Sequence, residues 1–318
     1  VVSSAHRLMH ASTTPSTLPW ADSPEAIAAI AAGQQQSLEV LHWQASATRL
    51  THPHAGGHTT VHHWAAVQPN GLPPLVLFHG GSGSWTHWVR SIGPLLEAGH
   101  DVWAVDLPGF GDSDVPPGVS DADGMLPVLA DLLQTLSPLQ AVRLLGFSFG
   151  GMTAGMLTAN YPHLVELLVL VGAPGIGLRS KQPFRLKGWR HLQDPCEQLL
   201  HHIYNLGALM LHDSSCIDRD TVALHVANVR RDRLPRRRIS STDILLRALA
   251  QVQCPVAAIY GAFDALYPDD LDTVAALMGD HAAQWQGMQR IAGAGHWVQY
   301  EQPHAFHAAL LPLLAKAC

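Results

Sequence analysis

A serine flanked by glycines is the feature of this sequence best suited to do chemistry. Ser148 stands at the centre of Gly146-Phe147-Ser148-Phe149-Gly150. The largely apolar run 142–145 before it predicts a buried strand, and apolar residues at helical spacing after it predict a helix. A serine in the sharp turn between a strand and a helix presents its hydroxyl as a nucleophile. The alternative is a glycine-rich turn that carries an inert serine.

The glycines at 146 and 150 and the helix after the serine fit the same interpretation. In so sharp a turn, side chains two residues before and two after the serine would collide with neighbouring backbone, so glycine is expected at both positions. The helix begins beside the serine and directs its N-terminal N–H groups towards it. Those groups would stabilise negative charge that develops during a reaction.

A nucleophilic serine needs a base to take its proton and an acid to orient that base. Asp264 directly follows the apolar run 256–260, and His296 follows a predicted strand at 284–291, within a glycine-flanked loop. Serine, acid and histidine, each in a loop after a strand, is one of the known chain orders of such a triad. The sequence therefore predicts Ser148 as nucleophile, His296 as base and Asp264 as the orienting acid.

Three other residues compete for these roles. Asp269 and Asp270 follow a proline, and they are better explained as the first residues of a helix, where the helix dipole stabilises a carboxylate. His79 ends an apolar run, and its position favours a role in shaping the turn after that strand. Direct participation of His79 in proton transfer is the alternative.

Two backbone N–H groups are expected to hold the negatively charged oxygen of an acyl-transfer intermediate. One belongs to Phe149, directly after the nucleophile, and the other to the loop after the apolar run 75–78. We assign the second donor to Gly81, because the glycines at 80, 81 and 83 let the backbone approach a substrate closely.

The other elements are expected to bring these loops to one edge of a sheet. Up to residue 174, apolar runs and helical patterns alternate, which is typical of an α/β fold with a doubly wound, mostly parallel sheet. A hairpin is predicted from residues 38–43 and 59–67, and a helix over 85–98. Further strands are predicted at 75–78, 102–105, 167–171, 256–260 and 284–291, and helices at 121–136, 268–278 and 302–315.

Between residues 175 and 240 the pattern changes to a helical, Arg-, His- and Leu-rich stretch without a clear strand. We predict that 175–240 is a helical cap, a lid over the carboxyl edge of the sheet, where ligands bind in such folds. The core would then consist of 37–174 and 241–318. Residues 1–36 would form an extended arm and a helix, covering either the body of the molecule or an oligomer partner.

The composition narrows the classes of protein. The chain has 318 residues, of which 47% are hydrophobic and 14% charged, and its net charge of −6 argues against a nucleic-acid partner. The one basic cluster, residues 230–238, is local and is best explained as a solvated helix face and loop. Four cysteines at irregular spacing, with no C-x-x-C pair, argue against a zinc site or a disulfide framework and favour a reducing compartment.

No apolar run reaches the length of a membrane span, and the first residues do not resemble a signal peptide. We therefore expect a cytoplasmic protein that acts on a small molecule and has no membrane partner. The 21 histidines are scattered and no H-E-x-x-H motif occurs, so neither a metal nor another cofactor is expected. A homodimer is left open.

Five motifs, taken in order along the chain, resemble those of the α/β-hydrolase fold superfamily. The resemblance covers residues 75–300, whereas residues 1–60 have no counterpart in it. It implies the sheet, the cap and the triad described above. The motifs are His79-Gly80-Gly81, Asp106-Leu107-Pro108-Gly109-Phe110-Gly111-Asp112-Ser113, Gly146-Phe147-Ser148-Phe149-Gly150-Gly151, Gly261-Ala262-Phe263-Asp264 and Gly295-His296-Trp297.

The stretch 296–301 and the cap stretch 210–217 are similar to the meta-cleavage-product hydrolases, which split a carbon–carbon bond in 2-hydroxy-6-oxo-dienoates. In that comparison His225 falls where the subfamily has an arginine that grips the substrate carboxylate. His87 falls where the subfamily has an asparagine.

The residues around the serine indicate the character of the substrate pocket. Phe147 and Phe149 flank Ser148 and favour an apolar acyl or acid pocket, with ordinary core packing as the alternative. We assign four residues to the pocket. They are Gly80, Phe147, His225 and Trp297.

We expect a serine hydrolase that transfers an acyl group to water from a small, largely apolar carbonyl substrate, with a carboxylic ester first. Two alternatives are kept: a C–C hydrolase of the 2-hydroxy-6-oxo-dienoate type, and a non-catalytic receptor for small ligands on the same scaffold. Serine in place of aspartate at 148 disfavours haloalkane dehalogenase and epoxide hydrolase chemistry. A perhydrolase or haloperoxidase would use the same triad.

Overall fold

An eight-stranded sheet forms the centre of the computed structural model, which describes residues 17–178 and 185–315. In chain order the strands are β1 (Thr48–His54), β2 (Gly57–Trp64), β3 (Leu75–Phe78), β4 (Val102–Val105), β5 (Val142–Phe147), β6 (Val165–Val171), β7 (Val256–Gly261) and β8 (Trp285–Ile291). Their spatial order is β1-β2-β4-β3-β5-β6-β7-β8. β2 pairs antiparallel with β1 and β4, and all other neighbours in this sheet are parallel.

Helices cover both faces of this sheet. They are α1 (Pro24–Ala31), α2 (Leu38–Ser46), α3 (Ile92–Glu97), α4 (Ala122–Leu136), α5 (Phe149–Asn160), α6 (Pro195–Asn205), α7 (Arg219–Arg230), α8 (Ile244–Leu249), α9 (Leu271–His281), α10 (Val298–Glu301) and α11 (Pro303–Leu314). Short 3₁₀ turns occur at Trp85–Trp88, Pro162–Leu164, Ser214–Cys216 and Ile239–Ser241, and a π-helical turn at Leu206–Met210. In the described ranges, no helix combines the length and apolar character that crossing a bilayer requires.

Two apolar cores lie on opposite faces of the sheet. Strand β3 contributes to both, since Val76 and Phe78 join one core while Leu75 and Leu77 join the other. Such alternation is the geometry of a strand, and its apolar character on both sides is typical of a strand between two helical layers. The predicted doubly wound, mostly parallel sheet is confirmed.

The first strand of the predicted hairpin is wrong. Residues 38–43 belong to α2, which begins after Ser37, whose Oγ accepts a hydrogen bond from the Val40 N–H at 3.3 Å. A capping serine followed by Glu39 in the first turn stabilises a helix, and these local signals outweigh the short alternation. The hairpin is instead made by β1 and β2, which meet at the glycines 56 and 57, with φ of 92° and 141°.

The helix predicted over 85–98 is broken into two pieces. A 3₁₀ turn covers Trp85–Trp88, and α3 follows after a gap of three residues. The Ser91 N–H closes this turn by donating to the carbonyl of residue 88 at 2.7 Å. Pro94 has no N–H to offer the carbonyl four residues before it, so a continuous α-helix would lose a hydrogen bond there.

The N-terminal helix α1 packs on the cap, through α6 and α7. Ser23 caps the helix as its Oγ accepts from the Ala26 N–H at 3.2 Å, and Gly33 follows its end with φ 72°. An ion pair of 2.5 Å joins Arg219 Nε of α7 to Asp22 Oδ2. The described part of this appendage, residues 17–36, therefore packs against its own molecule through α1.

The cap lies between the end of β6 and the start of β7. The described residues of this predicted cap form α6, the π-helical turn, the 3₁₀ turn at Ser214–Cys216 and α7, and they include no strand. Helix α8, after the predicted boundary at 240, packs on α5 of the core. Residues 179–184 of the cap and 1–16 of the predicted arm lie outside the described residues.

Candidate active site

Ser148, His296 and Asp264 are hydrogen-bonded in series at the carboxyl edge of the sheet. His296 Nε2 lies 2.8 Å from Ser148 Oγ. His296 Nδ1 lies 2.9 and 3.0 Å from the two carboxylate oxygens of Asp264. Because a carboxylate accepts at Nδ1, that nitrogen carries the proton and Nε2 is left to accept one from the serine.

The backbone of Ser148 is held in a conformation that residues with a Cβ rarely adopt. Its φ is 51° and its ψ −122°, and its N–H donates to the Val171 carbonyl at 2.7 Å. A Cβ at Gly146 would lie 2.4 Å from the Gly150 carbonyl oxygen, and one at Gly150 would lie 2.3 Å from that of His79. The predicted reason for both glycines is confirmed. The half-buried serine is still open to a substrate.

Asp264 and His296, the predicted acid and base, are buried, with 1% and 2% of their surface exposed. Gly172, at the end of β6, makes room for both of them. A Cβ there would lie 3.1 Å from the His296 ring and 3.2 Å from Asp264 Oδ2, and the φ of Gly172 is 55°. The sequence shows a glycine directly after an apolar strand here, but it did not indicate what that glycine does.

The three residues that competed for the roles of acid and base are bonded or placed elsewhere in the fold. Asp269 and Asp270 occupy the turn directly before α9, as their interpretation as helix-start residues predicts. His79 is fully buried, with Nδ1 2.7 Å from the Gly80 carbonyl oxygen and Nε2 accepting from the Leu107 N–H at 2.9 Å. Burial lowers the pKa of His79 to about 4. Both of its nitrogens are therefore used, Nδ1 within the loop after β3 and Nε2 to join that loop to the one after β4.

The two N–H groups predicted to bind an oxyanion belong to neighbouring residues. A Cβ at Gly81 would lie 3.6 Å from Phe149 Cβ, and one at Gly80 would lie 3.2 Å from Ser148 Cβ. The Gly80 N–H is already used, since it donates to His87 Nδ1 at 3.1 Å. Within the described ranges, the N–H groups of Gly81 and Phe149 donate to no protein acceptor. Both are therefore available to a ligand.

A cavity of about 460 Å³ runs from the loop after β3 into the cap. This volume suits a small molecule. Its wall includes Gly81 but neither Ser148 nor His296, so it adjoins the reacting atoms on the side of the second oxyanion donor. Other residues of the wall are Ser82 and His87 from the core and Trp189, His202 and His225 from the cap.

Of the four predicted pocket residues, only His225 is part of the cavity wall. Gly80 lies beside the serine instead. Phe147 and Trp297 are fully buried, and the rings of Phe147 and His296 are 5.1 Å apart. Trp297 Nε1 donates to the His87 carbonyl at 3.0 Å. These two side chains pack behind the site, which agrees with the core-packing alternative for Phe147.

Two imidazoles on the cavity wall, those of His87 and His225, are neutral. His87 Nδ1 accepts from a backbone N–H, so Nε2 carries the ring proton, and Nε2 has no protein acceptor in the described part of the chain. Burial holds the pKa of His87 well below its ordinary value, and it lowers that of His225 to about 4. His87 thus offers the cavity a neutral donor. In the same described part, no group of three or more His, Cys, Asp or Glu could hold a metal ion.

Glu301 is a residue whose role the sequence did not indicate. Its Oε2 accepts from the Gly295 N–H and its Oε1 from the Asp213 N–H, each at 2.6 Å. Glu301 is 6% exposed, and its carboxylate joins the loop that carries His296 to the cap. In the sequence this residue was visible only as the last position of the stretch 296–301.

Comparisons with known proteins identify the fold and the family of the chain. A family model described as "alpha/beta hydrolase fold" matches residues 73–194. The chain is 30% identical to the 2-hydroxy-6-oxononadienedioate/2-hydroxy-6-oxononatrienedioate hydrolase of Paraburkholderia phymatum over 264 residues, which cover 77% of this chain and 88% of that protein.

Two solved structures share the fold at low sequence identity. The carboxylesterase CesB (YbfK) from Bacillus subtilis has a TM-score of 0.72 at 18% identity and covers 92% of this chain and 100% of its own. A variant of the meta-cleavage product hydrolase from Pseudomonas fluorescens IP01 has a TM-score of 0.62 at 20% identity, over 80% of this chain and 93% of its own. The sequence similarity to the Paraburkholderia hydrolase shows that this chain belongs to the α/β-hydrolase fold family, and the family model matches the same fold.

Proposed function

We propose that this protein is a serine hydrolase that transfers an acyl group to water from a small, largely apolar carbonyl substrate, with a carboxylic ester as the first candidate. The observation that carries the proposal is the hydrogen-bonded series of Ser148, His296 and Asp264. Its proximity to two backbone donors without a protein acceptor, on Gly81 and Phe149, supports acyl transfer over other uses of a serine.

In the proposed reaction, Ser148 Oγ attacks the substrate carbonyl while His296 Nε2 takes its proton. The N–H groups of Gly81 and Phe149 bind the oxyanion, and Asp264 stabilises the imidazolium. His296 then gives the proton to the departing alkoxide, which leaves an acyl-serine. A water molecule, deprotonated by the same base, releases the acid and restores the serine.

The side chains on the cavity wall favour a neutral molecule as the first candidate substrate. His87 and His225 on its wall are neutral, and the Nε2–H of His87 would donate to an oxygen of the substrate. The cationic Lys187 and Arg190 also line the cavity, but each packs over an aromatic ring, at 4.2 and 4.8 Å from its centroid. An ester with a short apolar acyl group fits these walls without burying an unpaired charge.

Assays with p-nitrophenyl acetate and p-nitrophenyl butyrate test the proposal. The protein should release p-nitrophenol, and a fluorophosphonate should label Ser148. Ser148→Ala should lose at least about 10³-fold in kcat, because the triad acts as a unit. A loss of only a few-fold would show that another group is the nucleophile, and no turnover of either ester would argue against the esterase.

A C–C hydrolase is the second candidate, and the similarity to the Paraburkholderia enzyme favours it. His296 would then first help to move a proton that makes the dienol substrate ketonic, before attack on the carbonyl. The test is a paired assay of short-chain esters and a 2-hydroxy-6-oxo-dienoate. A higher kcat/KM for the dienoate would reverse the order of the two candidates.

A cytoplasmic location and a homodimer are further proposals. The location is supported by Cys196 and Cys216, which are free thiols, as expected in a reducing compartment. Sedimentation of the purified protein measures the oligomeric state, and a monomer at micromolar concentration would rule out the stable dimer.

A further inference from the structure

The loop after β3 contains a second residue with an unusual backbone. Ser82 has a φ of 53°, in the left-handed region that residues with a Cβ avoid. It directly follows Gly81, and its φ sets the direction of the peptide that joins the two residues. The Gly81 N–H belongs to the peptide before it, so a fixed Ser82 constrains that N–H through the backbone of Gly81.

Two side chains of the cap hold Ser82 in this conformation. Ser82 Oγ donates to Asp232 Oδ2 at 2.5 Å and accepts from Arg237 Nη2 at 3.3 Å. Arg237 Nη1 in turn donates to both carboxylate oxygens of Asp232, at 2.9 and 3.0 Å. The side chains of Asp232 and Arg237 are 6% and 17% exposed, so water competes little for these bonds.

The guanidinium of Arg237 also contacts both residues that carry the proposed oxyanion donors. Its Cζ lies 5.3 Å from the centroid of the Phe149 ring. Its Nη2 lies 3.3 Å from the position of a Cβ at Gly81. Because Asp232 neutralises the charge of Arg237, the pair is suited to fixing the positions of these residues rather than to supplying a free positive charge.

We propose that Asp232 and Arg237 are positioning residues that complete the oxyanion hole from the cap. They hold Ser82 in its left-handed conformation and so aim the Gly81 N–H at the developing negative charge. Docking of the cap thereby becomes a condition for full transition-state stabilisation. The inference rests on the proposed function, since it assumes that the loop acts on an acyl-transfer transition state.

Arg237→Gln is the first test, with Arg236→Gln as its matched control. Arg236 lies next to Arg237 in the chain, is exposed, and gives the same change in charge. Arg237→Gln should lower kcat for p-nitrophenyl butyrate by about 10- to 100-fold, with KM changed by less than about 3-fold, because the interaction is made in the transition state. An aliphatic boronic acid, whose adduct with Ser148 is a tetrahedral anion, should bind more weakly by a similar factor. Arg236→Gln should leave kcat, KM and inhibition unchanged.

A comparison of Ser82→Ala with Ser82→Gly is the second test, and it decides the matter if Arg237→Gln fails to fold. Both variants lose the hydrogen bonds of Ser82 Oγ with Asp232 and Arg237, which we call the clamp. Alanine keeps the strain of a positive φ, whereas glycine adopts that φ freely. Ser82→Ala should therefore lose more kcat than Ser82→Gly, by about 3- to 10-fold. Equal kcat values for the two variants would overturn the proposal, because an anchoring role without strain predicts no difference.

The Ser148→Ala variant separates failure of this inference from failure of the proposed function. If Ser148→Ala keeps its activity, the proposed function itself is wrong. If Ser148→Ala is inactive while Arg237→Gln and Ser82→Ala keep the kcat of the original protein, the clamp alone is wrong.

Discussion

At the scale of single residues, the site depends on which nitrogen of His296 carries a proton. The buried carboxylate of Asp264 lies within 3.0 Å of Nδ1 through both of its oxygens. It therefore selects the tautomer in which Nε2 can accept the proton of Ser148. An acid elsewhere on the same loop could not do this, because the effect requires direct contact with the ring.

Asp264→Asn should therefore lower kcat by about 10³- to 10⁴-fold, since an amide can donate to Nδ1 and so favours the wrong tautomer. Ester hydrolysis, with circular dichroism to confirm the fold, measures this effect. Asp269→Asn is the control, because it makes the same chemical change in the turn before α9. A loss of less than about tenfold for Asp264→Asn, or equal losses for the two variants, would contradict the assigned acid.

The proximity of the three predicted triad residues could be expected from the sequence because each lies in a loop that follows a predicted strand. Parallel strands bring their carboxyl ends to one edge, so adjacent loops meet there. The clamp on Ser82 could not be predicted in this way. Ser82 and Asp232 are 150 residues apart, and the sign of a serine φ leaves no mark in a sequence pattern.

At the scale of elements, the end of each strand must leave space for the side chains of its neighbours. Strand β6 lies between β5 and β7, and so its end lies between the loops that carry Ser148 and Asp264. Gly172 lies at this central position. Because it has no side chain, the His296 ring can pack closely against it.

Gly172→Ala should abolish most of the activity, by more than about 10²-fold, because the new Cβ would displace the His296 ring and the Asp264 carboxylate. The control is Gly71→Ala. Gly71 also has a positive φ, of 75°, but in the described structure no atom lies within 4 Å of the Cβ that would be added. Gly71→Ala should lose stability because alanine is strained at a positive φ, as in Gly172→Ala, but it should keep its kcat. Similar kcat values for the two variants would show that the contact with the triad has no effect.

Element boundaries were predictable where burial decides the structure and less so where local contacts decide it. The buried strands β3 and β7 were predicted to within one residue, because their apolar runs are short and continuous. Residues 38–43 alternate like a strand. The N-terminal capping residue Ser37 and the exposure of Leu38 and Leu41 are nevertheless typical of a surface helix. Periodicity over six residues is too short to separate these cases.

At the scale of the whole molecule, several histidines are buried in the neutral state. Burial lowers the pKa of His79, His225 and His307 to about 4, and that of His202 to about 2. In the unfolded chain a histidine has a pKa of about 6.5. Below that pH the unfolded state binds more protons than the folded state, so acid favours unfolding.

The free energy of unfolding should therefore be highest above pH ~6.5 and should fall steadily towards pH ~4.5, by up to ~1.4 kcal/mol per pH unit for each such histidine. Urea unfolding at a series of pH values measures the slope. His202→Phe should make this slope shallower by about one proton, because His202 packs against Trp189 and neither of its nitrogens has a partner among the residues described. A slope that stays the same in the variant would mean that His202 titrates normally in the folded protein.

The packing of α1 on α6 and α7 has a consequence for protein engineering. The cap is inserted between β6 and β7, so a designer who exchanges caps between members of the family would cut the chain only near those two strands. In this protein the Arg219–Asp22 ion pair and the contact of Gly33 with α7 tie the N-terminal segment to the same module. A functional chimaera would have to carry residues 22–33 together with the transplanted cap, so the transferable unit is formed from two separate stretches of sequence.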